Sequence, residues 1–226
     1  MSHTFYEMLR KDELKHQGMR NHLVTELKTK GITDENVLRA IAKVPRHLYL
    51  DSSFEAHAYQ DKAFPIGANQ TISQPYIVAI QSSLLDVKTG DKILEVGTGC
   101  GYQTAVLIAL GAKVYTIERQ LELFKKTKLF FQQMPYRPKK MIFGDGYVGY
   151  SEQAPFDGVI VTAGAPQLPE ALLKQLKLRG RLVIPVGEGN TQLMHRYIKT
   201  AASKFTKSLH GEFRFVPLLE DKEGLN

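Results

Sequence analysis

A glycine loop between a strand pattern and a helix pattern constrains the fold of this chain more than any other feature. In ILEVGTGCG (residues 93–101) an apolar strand pattern runs into Gly97, Gly99 and Gly101, and a helical pattern follows at once. Glycines at such a joint allow a tight turn and a close approach of the backbone to a ligand. The next strand pattern ends in Glu118, where a carboxylate can accept hydrogen bonds from ribose hydroxyls. The loop therefore predicts a nucleoside-containing ligand.

Strand and helix patterns alternate with short connections from the glycine loop onward. Strands are predicted at residues 93–96, 113–117, 140–143, 158–162 and 181–186, and helices at residues 102–110, 121–134 and 169–178. Several of these strands are apolar along their whole length, so we expect them to be buried on both faces. The order predicts an α/β fold, with an open parallel sheet and helices on both faces.

The last part of the chain carries two further strand patterns, residues 192–199 and 207–216, with no helix pattern between them. We expect them to pair antiparallel at one edge of the sheet, in an order that the sequence leaves open. A nicotinamide dehydrogenase would need a second βαβ half instead. The glycine spacing is also G-x-G-x-G, with Tyr102 where the dinucleotide motif has its last glycine. Both observations favour a seven-stranded methyltransferase sheet.

The first eighty residues form a different kind of region. Loose helical periodicity covers Tyr6–Leu27, and ITDENVLRAIAKVP predicts a second helix that Thr33 or Asp34 caps. The stretch after it, which contains FPIGANQTISQPY, is predicted to be a long loop over the site. We therefore divide the chain into an N-terminal helical extension with a substrate loop, residues 1–80, and a cofactor-binding core, residues 81–226.

Two polar positions beside the predicted sheet have alternative interpretations. Asp145 lies in Gly-Asp-Gly after the third strand, where it either forms a tight turn or accepts a hydrogen bond from an adenine amino group. Ser73 either belongs to a turn before a helix or takes part in chemistry. Because no histidine and acid accompany Ser73, hydrogen bonding is its expected role rather than nucleophilic attack. The seven histidines are dispersed, so no metal site is expected.

Composition argues against several classes of protein. The 226-residue chain has one cysteine, Cys100, so no disulfide can form within it, and a reducing compartment is indicated. No apolar run approaches the roughly 18–20 residues of a membrane span, so we expect a cytoplasmic protein with no membrane partner. The net charge of +7 would suit nucleic acid. The densest basic runs, residues 125–128 and 137–140, are nevertheless typical of solvated faces, and no nucleic-acid partner is expected.

With these segments identified, the chain resembles the protein-L-isoaspartate O-methyltransferases, a family of S-adenosylmethionine-dependent repair enzymes. The resemblance covers about residues 31–220. Its segments are DENVLRAIAKVPR, FPIGANQTISQPYIVA, ILEVGTGCGYQTA, YTIER, GDGYVGY, the succession from APFDGVIVTAGAP to LVIPVG, and FVPL. The glycine loop and Glu118 are common to methyltransferases. The TISQPY segment and the succession from GDG to LVIPVG are specific to this family.

The resemblance implies a Rossmann-like, seven-stranded class I methyltransferase sheet with helices on both faces and an N-terminal helical extension. It also implies methyl transfer from S-adenosylmethionine to the free α-carboxyl of L-isoaspartyl residues, which leaves S-adenosylhomocysteine as product. The methyl ester then closes to a succinimide, whose hydrolysis returns some L-aspartyl. Isoaspartyl-containing proteins and peptides are the implied partners, and we expect a monomer.

The same resemblance implies roles for individual residues. Ser73 would be the catalytic residue and would orient the acceptor carboxylate. Glu118 would bind the ribose hydroxyls, and Asp145 with Gly146 would contact the adenine. The implied cofactor-binding residues are Thr71, Ile72, Glu95, Gly97, Gly99, Gly101, Glu118, Asp145 and Gly146. One departure from the family is Cys100 between the loop glycines, which would place an oxidisable thiol beside the cofactor.

Two other functions stay open at this point. A methyltransferase acting on nucleic-acid bases would suit the positive charge, but the segment from Thr162 to Pro166, TAGAP, offers no carboxamide or acid to hold an amine acceptor. A non-catalytic S-adenosylmethionine-binding sensor or scaffold would have no use for the serine loop. A methyl-transfer assay that compares an isoaspartyl peptide with tRNA separates the three functions.

Overall fold

The computed structural model describes residues 11–224. Its helices are α1 (Leu14–Thr29), α2 (Glu35–Lys43), α3 (Pro75–Leu85), α4 (Tyr102–Ala109), α5 (Leu121–Phe131) and α6 (Glu170–Lys174). Its strands are β1 (Phe64–Gly67), β2 (Gln70–Ile72), β3 (Lys92–Val96), β4 (Lys113–Glu118), β5 (Lys140–Phe143), β6 (Phe156–Val161), β7 (Leu176–Val186), β8 (Gln192–Ala201) and β9 (Lys204–Phe213). Short 3-10 turns at Arg46–Tyr49, Ser52–His57 and Ser151–Gln153 complete the regular structure of this part of the chain.

Seven of the strands form one mixed sheet in the order β5-β4-β3-β6-β7-β8-β9. The five strands from β5 to β7 in that order are parallel, and β8 and β9 continue the sheet antiparallel. The predicted α/β fold and the antiparallel pair at one edge are confirmed. The order that the sequence left open is also settled, since β8 pairs with β7 and β9 forms the edge.

Helices cover both faces of this sheet, as expected. Successive side chains of a strand point to opposite faces, so Ile93 and Leu94 of β3 belong to different hydrophobic clusters. The cluster of Ile93 includes Leu85 of α3 and Leu107 of α4, whereas the cluster of Leu94 includes Leu172 of α6. Burial of apolar side chains on both faces holds the parallel strands together.

Helix α6 is shorter than the sequence predicted. The helix expected over residues 169–178 ends at Lys174, and β7 starts at Leu176 instead of Arg181. Leu176 pairs with Phe156 of β6, and the Phe156 N–H donates to the Gln175 carbonyl at 2.8 Å. Pairing with the neighbouring strand therefore prevails over the helical pattern of this segment.

The predicted long loop after residue 56 contains a β-hairpin. Strands β1 and β2 pair antiparallel across a turn at Ala68 and Asn69, whose φ angles are 48° and 53°. Positive φ at both turn positions gives the strand twist that a tight hairpin requires, and asparagine adopts it readily. The segment that leads to Ser73 is thus a paired strand and not a free loop.

The N-terminal helices pack on α3 and α4 in a third hydrophobic cluster, separate from the two that flank the sheet. Of the two predicted caps of helix α2, Thr33 and Asp34, the structure shows Asp34. Its carboxylate accepts from the Asn36 and Val37 amides at 2.9 and 3.1 Å. Leu23 and Ile41 share a cluster with Tyr102 of α4. The first residues of the predicted helix over residues 6–27 lie outside the described part of the chain. Within that part, no helix combines the length and apolar character that crossing a membrane demands.

Candidate functional site

An open cleft lies where β3, β4 and β6 end. Ligands of open α/β sheets bind at this edge, because the loops after the strands meet there. Its walls include the glycine loop, the end of β4, the segment that leaves the hairpin and residues 216–219. The lining residues are Gln70, Thr71, Ile72, Ser73, Val78, Val96, Gly97, Thr98, Gly99, Cys100, Tyr102, Gln103, Ile117, Glu118, Arg119, Gln120, Gly146, Thr162, Ala163, Val216, Pro217, Leu218 and Leu219.

The glycine loop takes a backbone path that other residues avoid. The φ angles of Gly97, Gly99 and Gly101 are 96°, 54° and 89°. A Cβ on Gly97 would lie 2.3 Å from Thr162 Oγ1, and one on Gly101 would lie 2.4 Å from Phe131 Cζ. Positive φ and close neighbours within the protein thus both require glycine here. Gly97 and Gly99 line the cleft, whereas Gly101 is buried behind it.

Glu118 is fixed by the glycine loop and presents its carboxylate to the cleft. One oxygen accepts from the Gly99 amide at 2.8 Å and the other from the Gln120 amide at 2.9 Å. The side chain is buried, and burial raises the pKa of this carboxyl, while the hydrogen bonds from Gln120 and Gly99 oppose that shift. This geometry is compatible with a carboxylate that accepts from ribose hydroxyls, and the ribose-binding role of Glu118 stays a prediction.

Glu95 does not reach the cleft. It is fully buried beneath the glycine loop, where one oxygen accepts from the Thr104 hydroxyl of α4. Its other oxygen has no hydrogen-bond partner among the described residues. Burial raises the pKa of this carboxyl to about 8. The structure therefore places Glu95 under the cofactor loop and away from the ligand position that the resemblance implied.

Asp145 supports the far wall of the cleft without lining it. Its carboxylate accepts from the Tyr147 amide at 2.8 Å and from the Asp221 amide at 3.2 Å. Asp145 thereby closes the turn after β5 and holds the C-terminal segment. Its neighbour Gly146 does line the cleft, and a Cβ there would lie 2.3 Å from Val96 Cγ1. Of the two interpretations of Asp145, its contacts in this structure match the tight turn.

Ser73 lies in the cleft between the end of β2 and the start of α3. It is half-buried, and its hydroxyl makes no hydrogen bond to another residue of the described range 11–224. Thr71 and Ile72, the two residues before it, belong to β2 and also line the cleft. The structure thus brings the serine loop, the glycine loop and Glu118 to one cavity. A free hydroxyl there can donate to an anionic acceptor.

Sequence reasoning missed several lining residues. Gln103 is the second residue of α4, and its Oε1 is buried with no hydrogen-bond partner among the described residues. Thr162 follows β6 and donates to the Gly97 carbonyl at 2.8 Å, so it braces the loop. Single polar residues at the start of a helix or after a strand carry no distinctive sequence signal. For the lining residues Val216, Pro217 and Leu218, the FVPL segment of the family resemblance, residues 215–218, was such a signal.

The C-terminal segment spans the cleft from β6 to β4. Near β6, the Gly164 amide donates to the Val216 carbonyl at 2.8 Å, and the Leu218 amide donates to the Gly164 carbonyl at 2.7 Å. At the other end the Arg119 guanidinium donates to the carbonyls of Glu220 and Asp221 and to the Glu223 carboxylate, the last at 2.6 Å. This pairing lowers the pKa of Glu223. The segment forms a wall of the cleft and engages the donors of Arg119.

Asp12 and two buried histidines, His16 and His47, form a cluster near the start of α1. Asp12, His16 and His47 bring ligand-type atoms within 4.8 Å of one another, which their spacing in sequence did not suggest. Both Asp12 oxygens accept from Arg20 at 2.8 Å, and the two imidazole rings stack at 3.7 Å. Burial and His16 lower the pKa of His47 to about 4. These contacts favour a structural role in holding α1 in place.

Comparisons with known proteins agree with the resemblance seen in the sequence. Residues 18–223 match the family model described as protein-L-isoaspartate(D-aspartate) O-methyltransferase. Proteins named protein-L-isoaspartate O-methyltransferase from Christiangramia forsetii and Flavobacterium johnsoniae are each 65% identical over 212 residues, which is 94% of this chain and 99% of each relative.

Solved structures give the same result at lower identity. One protein-L-isoaspartate O-methyltransferase superposes with a TM-score of 0.79 and 26% identity, covering 88% of this chain and 65% of that one. A structure described as a protein-L-isoaspartate O-methyltransferase (beta-aspartate methyltransferase) from Plasmodium falciparum, in complex with S-adenosylhomocysteine, superposes with a TM-score of 0.74 and 27% identity. The match covers 91% of this chain and 99% of that one. The chain therefore belongs to the protein-L-isoaspartate O-methyltransferase family, enzymes that use S-adenosylmethionine in the repair of isoaspartyl proteins.

Proposed function

We propose that the chain transfers a methyl group from S-adenosylmethionine to the free α-carboxylate of an L-isoaspartyl residue, and that Ser73 holds this carboxylate. The observation that carries the proposal is that Ser73 opens into the same cleft as the glycine loop and Glu118. Donor and acceptor can thus meet in one cavity. Damaged proteins and peptides that contain isoaspartyl residues are the substrates.

The residues of the cleft fit the cofactor. Glu118 offers a fixed carboxylate for the ribose hydroxyls. Gln103 Oε1, buried without a partner among the described residues, offers an acceptor for the ammonium of the methionine tail. Thr71, Ile72, Gly97, Gly99 and Gly146 supply the surrounding wall. The cofactor, when bound, supplies an electrophilic methyl group on a sulfonium centre.

The acceptor side needs a hydrogen-bond donor and no base. An α-carboxyl group has an ordinary pKa near 3.5, so the acceptor is already ionised at neutral pH. Among the described residues that line the cleft, Arg119 is the only permanent cation, and its donors are engaged by the C-terminal segment. The Ser73 hydroxyl is free to donate to a carboxylate oxygen. Its role is to orient that oxygen toward the methyl carbon.

Orientation of the two reactants is the main source of rate enhancement in this proposal. Holding two reactants in a near-attack geometry can lower a barrier by on the order of 7–11 kcal/mol. Attack of an anion on a cation disperses charge, so a site shielded from water favours the transfer. The carboxylate gains the methyl group and becomes an ester, and S-adenosylhomocysteine leaves. The nitrogen of the next residue then attacks the ester carbonyl, and methanol leaves with the amide proton, which closes the succinimide without help from the enzyme.

Replacement of Ser73 tests the proposal. Ser73→Ala should lower kcat/KM for an isoaspartyl peptide roughly 10- to 100-fold, the value of one hydrogen bond to a charged group. The affinity for S-adenosylhomocysteine, measured by calorimetry, should stay nearly the same because the cofactor wall is intact. Ser151→Ala, an exposed serine in a 3-10 turn, is the matched control. Unchanged turnover in Ser73→Ala would remove Ser73 from the mechanism.

The remaining expectations are part of the same proposal. The protein works as a monomer in the cytoplasm and without nucleic acid, and residues 1–80 serve the substrate side of a core formed by residues 81–226. The single cysteine supports a reducing compartment, and the cleft needs no second chain to complete the lining described. Light scattering measures the oligomeric state. Transfer of label to tRNA but not to an isoaspartyl peptide would instead indicate a nucleic-acid methyltransferase, and label on neither would indicate a sensor.

A further inference from the structure

The helix that follows Ser73 lacks a local cap. Its first residue is Pro75, and its N-cap residue, Gln74, makes no side-chain cap. The amides of Ile77 and Val78 donate to the Gln74 carbonyl, which leaves the Tyr76 amide of the first turn without a partner inside the helix. Asp61 satisfies this donor from 15 residues upstream, with Oδ1 at 2.7 Å from the Tyr76 nitrogen. A remote carboxylate thus caps α3.

The second oxygen of Asp61 binds the N-terminal extension. Oδ2 lies 2.6 Å from Lys30 Nζ, which also contacts Glu26 at 2.6 Å. The Asp61 side chain is only 6% exposed, whereas that of Lys30 is 40% exposed. The carboxylate therefore joins the end of α1 to the start of α3, a few residues from Ser73.

The segment that carries Asp61 is held from the protein interior. Arg46 is fully buried and donates to the Ala58 carbonyl at 2.9 Å and to the Lys62 carbonyl at 3.2 Å. The Tyr59 hydroxyl lies 2.9 Å from Arg20 Nη1. The backbone on both sides of Asp61 is thus fixed by buried cationic side chains. Because its backbone is fixed, Asp61 can determine the position of the Tyr76 amide.

We propose that Asp61 is a positioning residue for the acceptor site: its bond to the Tyr76 amide sets where α3 begins and so where Ser73 stands. The inference rests on the proposed role of Ser73. The cofactor side is held separately, because Thr71 and Ile72 are paired with Pro65 and Phe64 in the hairpin. Loss of the Asp61 contact should therefore weaken use of the isoaspartyl acceptor and leave cofactor binding in place.

Three variants separate the cap from the ion pair. Asp61→Ala removes both contacts, Lys30→Met removes only the ion pair, and Asp61→Asn keeps an acceptor for the Tyr76 amide. We expect Asp61→Ala to lower kcat/KM for an isoaspartyl peptide about tenfold, since small misplacements of reacting groups are costly. Lys30→Met should stay within about twofold of the parent protein, because Asp61 keeps its bond to the Tyr76 amide and the partly exposed Lys30 contributes little. Asp61→Asn should recover most of the lost activity.

Each variant is also measured for affinity toward S-adenosylhomocysteine and for melting temperature. The affinity should be unchanged in all three. Equal losses of kcat/KM in Asp61→Ala and Lys30→Met, or a fall in melting temperature with kcat/KM unchanged in Asp61→Ala, would overturn the inference and leave a structural role. Failure of Asp61→Asn to restore activity would also count against it.

A double variant links Asp61 to Ser73. If Asp61 acts through Ser73, adding Asp61→Ala to Ser73→Ala should lower kcat/KM no further. Additive losses would show that Asp61 acts by another route. Full activity of Ser73→Ala would end the proposed role of Ser73 and this inference together, whereas a damaged Ser73→Ala with an unaffected Asp61→Ala would end the inference alone. The two failures are thus distinguishable.

Discussion

The cofactor side and the acceptor side of the cleft are built in different ways. On the cofactor side, Glu118 is held by amides of the glycine loop and of its own neighbour Gln120. These contacts join two adjacent parallel strands and the loops that follow them. On the acceptor side, Ser73 follows a short hairpin, and the helix after it is capped by Asp61, which is tied in turn to Lys30. The cofactor side is therefore formed by the sheet and its loops, whereas the acceptor side depends on side-chain contacts between residues distant in sequence.

The difference shows which part of such an enzyme tolerates change. A site made from backbone geometry depends on glycines that cannot be replaced but needs few partners. A site held by remote side chains can lose precision through substitutions far from the substrate. Variants on the cofactor side should therefore affect ligand binding first, and those on the acceptor side should affect turnover first.

The largest effect is expected from Gly97→Ala, which would break the cofactor side. Its φ of 96° is strained for alanine by roughly 1–2 kcal/mol, and the new Cβ would lie 2.3 Å from Thr162 Oγ1. We expect a lower melting temperature and at least a tenfold weaker affinity for S-adenosylhomocysteine by calorimetry. Gly18→Ala is the control, because Gly18 is exposed in α1 with nothing within 4 Å, and should stabilise the protein by about 0.5–1 kcal/mol. Parent-like affinity in Gly97→Ala would contradict the account of the loop.

A smaller effect is expected from Glu118→Ala. The variant removes the carboxylate that faces the cleft, so binding of S-adenosylmethionine should weaken by roughly 1–3 kcal/mol, the value of a charged hydrogen bond. Calorimetry measures the change directly. Glu122→Ala, an exposed acid in the first turn of α5, should bind like the parent protein. Equal affinities in both variants would show that Glu118 supports the loop without touching the ribose.

The smallest effect on cofactor binding is expected from Glu95→Gln, because Glu95 lies beneath the loop. Its consequence is a changed pH dependence of stability. The folded-state pKa of about 8 exceeds the ordinary value of 4.5, so the folded protein holds this proton more tightly than the unfolded chain. The contribution of protonated Glu95 to the free energy of unfolding is fully present below about pH 4.5 and is lost as pH rises through 8. Over that range the free energy of unfolding falls by at most about 1.4 kcal/mol per pH unit.

Urea unfolding at mildly acidic and mildly alkaline pH tests this expectation. Glutamine does not titrate, so the free energy of unfolding of Glu95→Gln should fall less than that of the parent protein between the two conditions. Identical slopes would mean that Glu95 is not a neutral buried acid. A large loss of cofactor affinity would instead place Glu95 at the ligand, as the family resemblance implied.

The sequence predicted best what depends on neighbours in the chain. The glycine loop, Glu118 and the parallel strands follow from local patterns of glycine, polarity and apolar runs. Asp34 as a cap also follows from its position before a helical pattern. The placement of Ser73 in the cleft came from the family resemblance, since nothing near it in sequence identifies a role.

The features that sequence did not reveal depend on tertiary packing. The start of β7 at Leu176 is decided by pairing with Phe156, a partner 20 residues away. Glu95 lies two residues before Gly97, yet its side chain points to Thr104 of α4. Asp61 resembles any loop acid until the fold brings it to the Tyr76 amide. In each case a partner distant in sequence determines the outcome.

The walls of the cleft come from distant parts of the polypeptide, with residues 70–73 on one side and 216–219 on the other. A molecule seated there touches segments that are separated by most of the chain. Its binding energy is then released only when all of these segments are folded together, so occupancy protects the whole polypeptide against heat or proteases rather than one loop. The enzyme without cofactor should therefore unfold at a lower temperature than the enzyme with cofactor bound.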